Sequence, residues 1–150
     1  MYVGERWRLL TGNDRGETFY DCSEHFNETT AFEHPVDLHY VSGNILGWPK
    51  MYVEVWGVDS HGRHSVQGYG CQTMPTRPGH YELDVALWRP EGDYSDQVAS
   101  FFLGSTPEVM YKNMVLSGND RFGMQCLSTG TLRLRIGIIV KDFNLHGVMM

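Results

Sequence analysis

Residues Gly47–Gly70, GWPKMYVEVWGVDSHGRHSVQGYG, predict a β-strand, a polar loop and the start of a second strand. Met51, Val53 and Val55 alternate with polar or aromatic residues, which is the spacing of a strand that buries one face. The segment Gly57–Arg63 that follows is rich in residues that form turns. The fold is therefore predicted to be organised around two strands joined by an exposed loop.

Two glycines in the second strand flank an aromatic residue, Tyr69. A glycine inside a strand marks either a bulge or a close approach of another part of the chain, because it has no side chain to pack. Gly68 and Gly70 therefore predict one or both of these features beside Tyr69.

Alternation of apolar and polar residues recurs along the chain, at 36–40, 80–87 and 131–141. The second of these strands is predicted to stop at Trp88-Arg89-Pro90, since proline cannot donate to a ladder. About six to eight short strands with regular turn signals predict an all-β fold, an antiparallel β-sandwich. The chain of 150 residues shows no internal linker and is expected to form one domain, residues 1–150.

One stretch, Ser95–Leu103, has the pattern of a helix within this β-rich chain. Ser95 can cap its start, and Val98, Phe101 and Phe102 recur at helical spacing. The sequence therefore predicts one short helical insert in the sandwich.

Composition excludes several classes of protein. The net charge of −6 argues against nucleic acid as a partner, since phosphate binding requires a basic surface. Three widely spaced cysteines indicate a reducing compartment rather than a disulfide framework. No apolar run approaches the roughly 20 residues that a membrane-spanning helix needs, and no signal peptide is recognised. These features predict a cytosolic setting.

Five motifs, taken in order, resemble those of the B9 domain, a C2-like family found in ciliary transition-zone proteins. They are His34-Pro35-Val36-Asp37-Leu38, Gly47-Trp48-Pro49, Gly68-Tyr69-Gly70, Pro78-Gly79 and Trp88-Arg89-Pro90. The resemblance runs from about Trp7 to Val148 and implies a C2-like form of the sandwich. It also implies that the family's first strand is missing before Met1. A truncated gene model or alternative start would explain this, and so would an isoform with an open sheet edge.

The resemblance further implies a function. B9-domain proteins of this type act as non-enzymatic scaffold subunits at the basal body and transition zone, in the cytoplasm and cytoskeleton. They assemble with sister B9-domain proteins and other components of a tectonic-like complex. That complex helps to build the cilium and gates the entry of membrane proteins. Tubulin and membrane lipid are further contacts that the resemblance implies.

Residues 55–68 also resemble the strand and calcium loop of C2 domains. In that alignment the three expected carboxylates fall at Gly57, Asp59 and Ser65, of which only Asp59 is acidic. Calcium requires six to eight oxygen ligands, usually with several carboxylates. We therefore expect no calcium site.

Motifs for other metals, for cofactors and for catalysis were not found in the sequence. His61 and His64 share a loop, but zinc sites require four ligands at defined spacing, and solvated loop histidines are the simpler interpretation. Nucleophile and phosphate-loop motifs are missing as well. The sequence therefore predicts no cofactor and no enzymatic activity.

Aromatic residues of the first predicted strand are candidates for a partner interface. Tyr52, Glu54 and Trp56 occupy the face opposite the valines. If the valine face fills the core, these three residues lie on an outer face, where exposed aromatics serve as interface anchors. The alternative is that most of the aromatics pack in the core or at its edge.

Basic residues of the last predicted strand form a second candidate surface. Arg133 and Arg135 alternate with apolar residues, and Lys141 follows. They are candidates for contact with lipid or an acidic partner, which makes a calcium-independent phosphoinositide-binding module the alternative function. The other interpretation is a solvated face that keeps the sheet soluble.

Overall fold

The computed structural model describes residues 1–22, 29–95, 98, 102, 107–117 and 123–143. Two compact units divide the chain, Met1–Pro49 and Lys50–Met150. The elements with described bounds are β1 (Trp7–Gly12), β2 (Leu38–Ser42), β3 (Lys50–Val58), β4 (His64–Thr73), β5 (Gly79–Pro90), α1 (Asn113–Leu116) and β6 (Cys126–Ile138). All strand pairs are antiparallel. The predicted all-β fold class is therefore confirmed.

In the first unit, β1 and β2 form a two-stranded sheet beside a group of aromatic rings. The Trp7 ring meets Trp48 edge-on at 5.1 Å between centroids. It also meets Tyr40 at 6.5 Å, and its Nε1–H donates to the Leu46 carbonyl at 2.9 Å. Strand β1 is thus anchored by one tryptophan, which uses both its ring and its polar edge.

In the second unit, four strands form a sheet in the order β3-β4-β5-β6. The β3–β4 register shifts by one residue, since Val55 pairs with Gly68 but Trp56 pairs with Val66. A Cβ atom on Gly68 would lie 2.5 Å from the Thr129 Oγ1 atom. The bulge and the close approach predicted from the glycines are both confirmed.

Strand β5 has buried residues on both faces. Val85 and Leu87 lie on the face that Gly70 approaches, where an added Cβ would be 2.9 Å from Val85 Cγ1. Trp88 lies on the opposite face, with its ring centroid 5.8 Å from that of Tyr69. This is the ordinary alternation of a strand, and the register shift between Leu87 and Trp88 leaves one extra residue, Thr129, in the partner strand β6. The strand ends at Pro90, the last residue of the predicted stop Trp88-Arg89-Pro90.

The face of the sheet that carries Trp88, which we call the tryptophan face, bears a small hydrophobic core. Its buried members are Val66, Tyr69, Trp88 and Val115. Val115 comes from α1, a four-residue helix that is too short to show any periodicity in the sequence and was not predicted. The segment around α1 therefore covers part of a face that the sequence pattern alone would leave open.

The predicted helix at 95–103 lies mostly outside the described residues. Of its members, Ser95, Val98 and Phe102 are helical, and the last two side chains are exposed. No helix within the described part of the chain is long and apolar enough to cross a bilayer.

Candidate functional site

Four side chains form a connected group on the tryptophan face of β3. The Glu54 carboxylate accepts hydrogen bonds from the Tyr52 hydroxyl and from Trp56 Nε1–H, the latter at 3.3 Å. Lys112, just before α1, places its Nζ atom 3.1 Å from Glu54 Oε1. The same ammonium lies 5.5 Å from the centroid of the Tyr52 ring, within the range of a cation–π contact. Glu54 is therefore the centre that orients both aromatic residues.

The charge of Glu54 is stabilised in this environment. Burial would raise the pKa of Glu54, but the hydrogen bonds from Tyr52 and Lys112, together with the Lys112 charge, outweigh it. Its pKa therefore lies below the ordinary value, so the carboxylate stays ionised at neutral pH. A partly buried, paired carboxylate fixes its donors more firmly than an exposed ion pair would.

The three predicted interface residues differ in exposure. Tyr52 packs against the buried cluster, and the Glu54 side chain is 22% exposed. Trp56, by contrast, is 48% exposed. The expectation that all three lie on an open outer face is therefore wrong for the first two. The segment before α1 covers them, and its Val109 N–H donates to the Tyr69 hydroxyl at 3.1 Å.

Sequence reasoning missed the residues that complete this surface. Lys112 binds Glu54, and its neighbours Met110 and Tyr111 are 82% and 65% exposed. They belong to a stretch with neither period-two nor helical spacing, so no pattern assigns them to the face of β3. We define the interaction surface as Trp56, Met110 and Tyr111, with Glu54 and Lys112 as the residues that position it.

The arginines of β6 are charge-paired across the sheet. The β5–β6 register sets Arg133 opposite Asp84 and Arg135 opposite Glu82. The Nε atoms of both arginines lie 2.9 Å from carboxylate oxygens. The hydrogen bond from Arg133 lowers the pKa of Asp84. Two of the three predicted basic residues, Arg133 and Arg135, therefore pair with acidic residues. The third, Lys141, lies beyond the end of β6.

Asp59 closes the loop between β3 and β4. Its Oδ1 atom accepts hydrogen bonds from the backbone N–H groups of His61 and Arg63, both at 2.8 Å. Its Oδ2 atom accepts from Arg63 Nε at 2.6 Å. The carboxylate that aligns with a C2 calcium ligand thus holds the loop itself. Among the described residues, no group of three or more His, Cys, Asp or Glu side chains is arranged to hold a metal ion.

Asp59 is expected to make the free energy of unfolding depend on pH. Hydrogen bonding from the Arg63 backbone is the largest cause that lowers the pKa of Asp59, from 3.8 to about 2. A group with a lowered folded-state pKa stabilises fully above its unfolded pKa. We therefore expect this contribution to be complete above about pH 4 and to disappear as the pH falls through about 2.

Urea unfolding of the wild type and of Asp59→Asn, followed by circular dichroism between pH 2 and 5, measures this effect. The stability gap between the two proteins should narrow as the pH falls. Asp93→Asn removes one exposed carboxylate from the same unit and serves as the control. A gap that stays constant over this range would contradict the role assigned to Asp59.

Comparison with known proteins places these features in a family context. The B9-C2 family, described as "Ciliary basal body-associated, B9 protein", matches residues 1–139. B9 domain-containing protein 2 of Danio rerio is 36% identical over 99% of this chain and 84% of its own length. The Mus musculus protein of the same name is 34% identical with the same coverage.

A second member of the family is also similar. B9 domain-containing protein 1 of Mus musculus is 27% identical over 96% of this chain and 72% of its own length. No solved structure matches significantly.

Proposed function

The chain belongs to the B9-C2 family of ciliary basal body-associated B9 proteins, and from this membership we propose that it is a non-enzymatic scaffold subunit at the ciliary transition zone. In this role it assembles with sister B9-domain proteins and other components of a tectonic-like complex. The assembly supports formation of the cilium and the diffusion barrier for membrane proteins. The observation that carries the proposal is the family match over residues 1–139, nearly the whole chain.

The geometry of the interaction surface supports a role in binding protein. Trp56 is held by a hydrogen bond to Glu54 yet leaves about half of its side chain exposed. Met110 and Tyr111, the two residues that precede Lys112 in the chain, add exposed apolar area. Tryptophan, tyrosine and methionine are enriched in protein interfaces, and a side chain that is already ordered loses less entropy on binding. This surface is therefore our candidate for the contact with a sister B9-domain protein.

Phosphoinositide binding is the less supported alternative. An anionic lipid surface attracts clustered basic residues, whereas Arg133 and Arg135 each pair with a carboxylate. The net charge of −6 weakens such attraction further. These features favour the scaffold function over a lipid-binding module.

Imaging in ciliated cells tests the proposed location. A fluorescent fusion of the chain is expected to concentrate at the base of the cilium, beside a basal-body marker, while the fluorescent protein alone stays diffuse. Depletion of the protein is expected to lower the fraction of ciliated cells. A diffuse fusion at near-native expression, with unchanged ciliation after depletion, would contradict the proposal.

A further inference from the structure

Strand β6 is an edge strand of the four-stranded sheet, and none of the strands described in its unit pairs with its outer side. Its 13 residues pair with β5 on one side. Among the described residues of the unit Lys50–Met150, β6 contacts β5 and β4 but no other strand or helix, and no loop backbone group of that unit hydrogen-bonds to it. In an antiparallel edge strand, every second residue points its N–H and C=O away from the neighbouring strand. The outer side of β6 therefore presents a row of backbone donors and acceptors.

Two arginines give this edge a specific charge pattern. Arg133 and Arg135 lie on one face of β6, with side chains that are 64% and 82% exposed. Each guanidinium carries five N–H donors. Asp84 accepts from two nitrogen atoms of Arg133, and Glu82 accepts from Nε of Arg135. Both arginines thus retain donors for a second acceptor.

The charged pairs of β5 and β6 form rows that run across the sheet and end at the β6 edge. Along each row the acidic residue of β5 comes first and the basic residue of β6 follows. A strand added beside β6 would place its own side chains directly opposite Arg133 and Arg135. Opposite charges at such cross-strand positions stabilise a sheet, whereas like charges destabilise it. The favourable residues at these positions are therefore aspartate and glutamate.

We propose that β6 binds an extended segment of a partner protein that carries carboxylates at alternate positions, which joins the sheet as a fifth strand. The backbone ladder supplies the binding energy, and the two arginines select the acidic residues. Ile139, directly after the strand, is 96% exposed and offers an apolar contact at the end of β6. Any protein with an extended segment that carries carboxylates at alternate positions can use this binding mode, whether or not it is a B9-domain protein.

A second copy of the chain fits this edge less well. Two β6 strands paired about an axis at Leu134 would set Arg133 of one copy against Arg135 of the other. That contact brings like charges together. In this register the charge pattern favours an acidic partner over self-pairing.

Two capped twelve-residue peptides test the proposal with the full chain. One alternates glutamate with threonine, and the other alternates lysine with threonine. Isotope-labelled protein is titrated with each peptide, and chemical shifts and hydrogen exchange are recorded for the β6 amides. The glutamate peptide is expected to slow exchange along β6 and to bind at least tenfold more tightly than the lysine peptide.

A charge-swapped variant separates strand addition from a structural role of the arginines. Glu82→Arg combined with Arg135→Glu keeps the cross-strand ion pair but places a carboxylate at the open edge. We expect the variant to stay folded and to lose its preference for the glutamate peptide, because the carboxylate at position 135 offsets the remaining charge of Arg133. The single substitution Arg135→Gln, which removes the edge charge together with the ion pair to Glu82, should also weaken binding of the glutamate peptide.

Several results would overturn the proposal. They include unchanged β6 amides with either peptide and equal affinity for the two peptides. Protection of β6 by phosphoinositide vesicles but not by peptide would identify a lipid surface instead. Concentration-dependent dimerisation that protects β6 without peptide would identify a second copy as its partner.

Discussion

Replacing Trp88 with alanine is expected to lower the free energy of unfolding by about 3–5 kcal/mol. The side chain is only 8% exposed and belongs to the core that Val66, Tyr69 and Val115 complete. Its ring lies 5.8 Å from that of Tyr69. Removal takes away buried apolar area, the aromatic contact and the support beneath α1. Since small domains are stable by about 5–15 kcal/mol, the loss is a large share of the total.

Urea unfolding followed by far-ultraviolet circular dichroism measures this loss, since it does not depend on the fluorescence of the replaced tryptophan. Tyr94→Ala is the matched control, because it removes an aromatic ring that is 82% exposed in the same unit. The control should stay within about 0.5 kcal/mol of the wild type. A loss below about 1 kcal/mol for Trp88→Ala would show that this core is not the main support of the sheet.

Replacing Trp56 with alanine is expected to weaken binding to a sister B9-domain protein by about thirtyfold or more. Aromatic anchors at the centre of an interface commonly contribute about 2 kcal/mol or more, which corresponds to that factor. Trp56 fits this role because Glu54 holds its indole N–H while 48% of the residue remains exposed. Titration calorimetry with the purified partner measures the change.

Two further variants make this test specific. Trp56→Phe keeps an aromatic ring but loses the bond to Glu54, so it should show an intermediate loss. Phe19→Ala removes an 89% exposed ring from the other unit and should bind like the wild type. Full affinity of a folded Trp56→Ala protein would remove Trp56 from the proposed interface.

Local spacing in the sequence predicted several features correctly. The alternation in β5 and in the second half of β6 is present in the structure, and Gly68 does mark both a bulge and a close approach. Each of these features depends on neighbours in the chain, or on the lack of a side chain. Such signals are visible in a single sequence.

Other features depend on contacts between distant residues. The spacing in β3 predicted that only the valine face is buried. In the structure, the segment around α1 also covers Tyr52, which lies on the opposite face. That segment has no periodicity to indicate where it packs. The Arg133–Asp84 pair depends on the β5–β6 register, which joins residues 49 apart in the chain. Neither contact follows from spacing alone.

The central claim is that this chain is a subunit of a complex of B9-domain proteins. Co-expression with the sister B9-domain proteins, followed by size-exclusion chromatography with light scattering, tests that claim most directly. We predict that the chain co-elutes with at least one sister protein as a single species with the summed mass of its subunits. Elution of each protein alone at its own mass, with all of them folded, would contradict the claim.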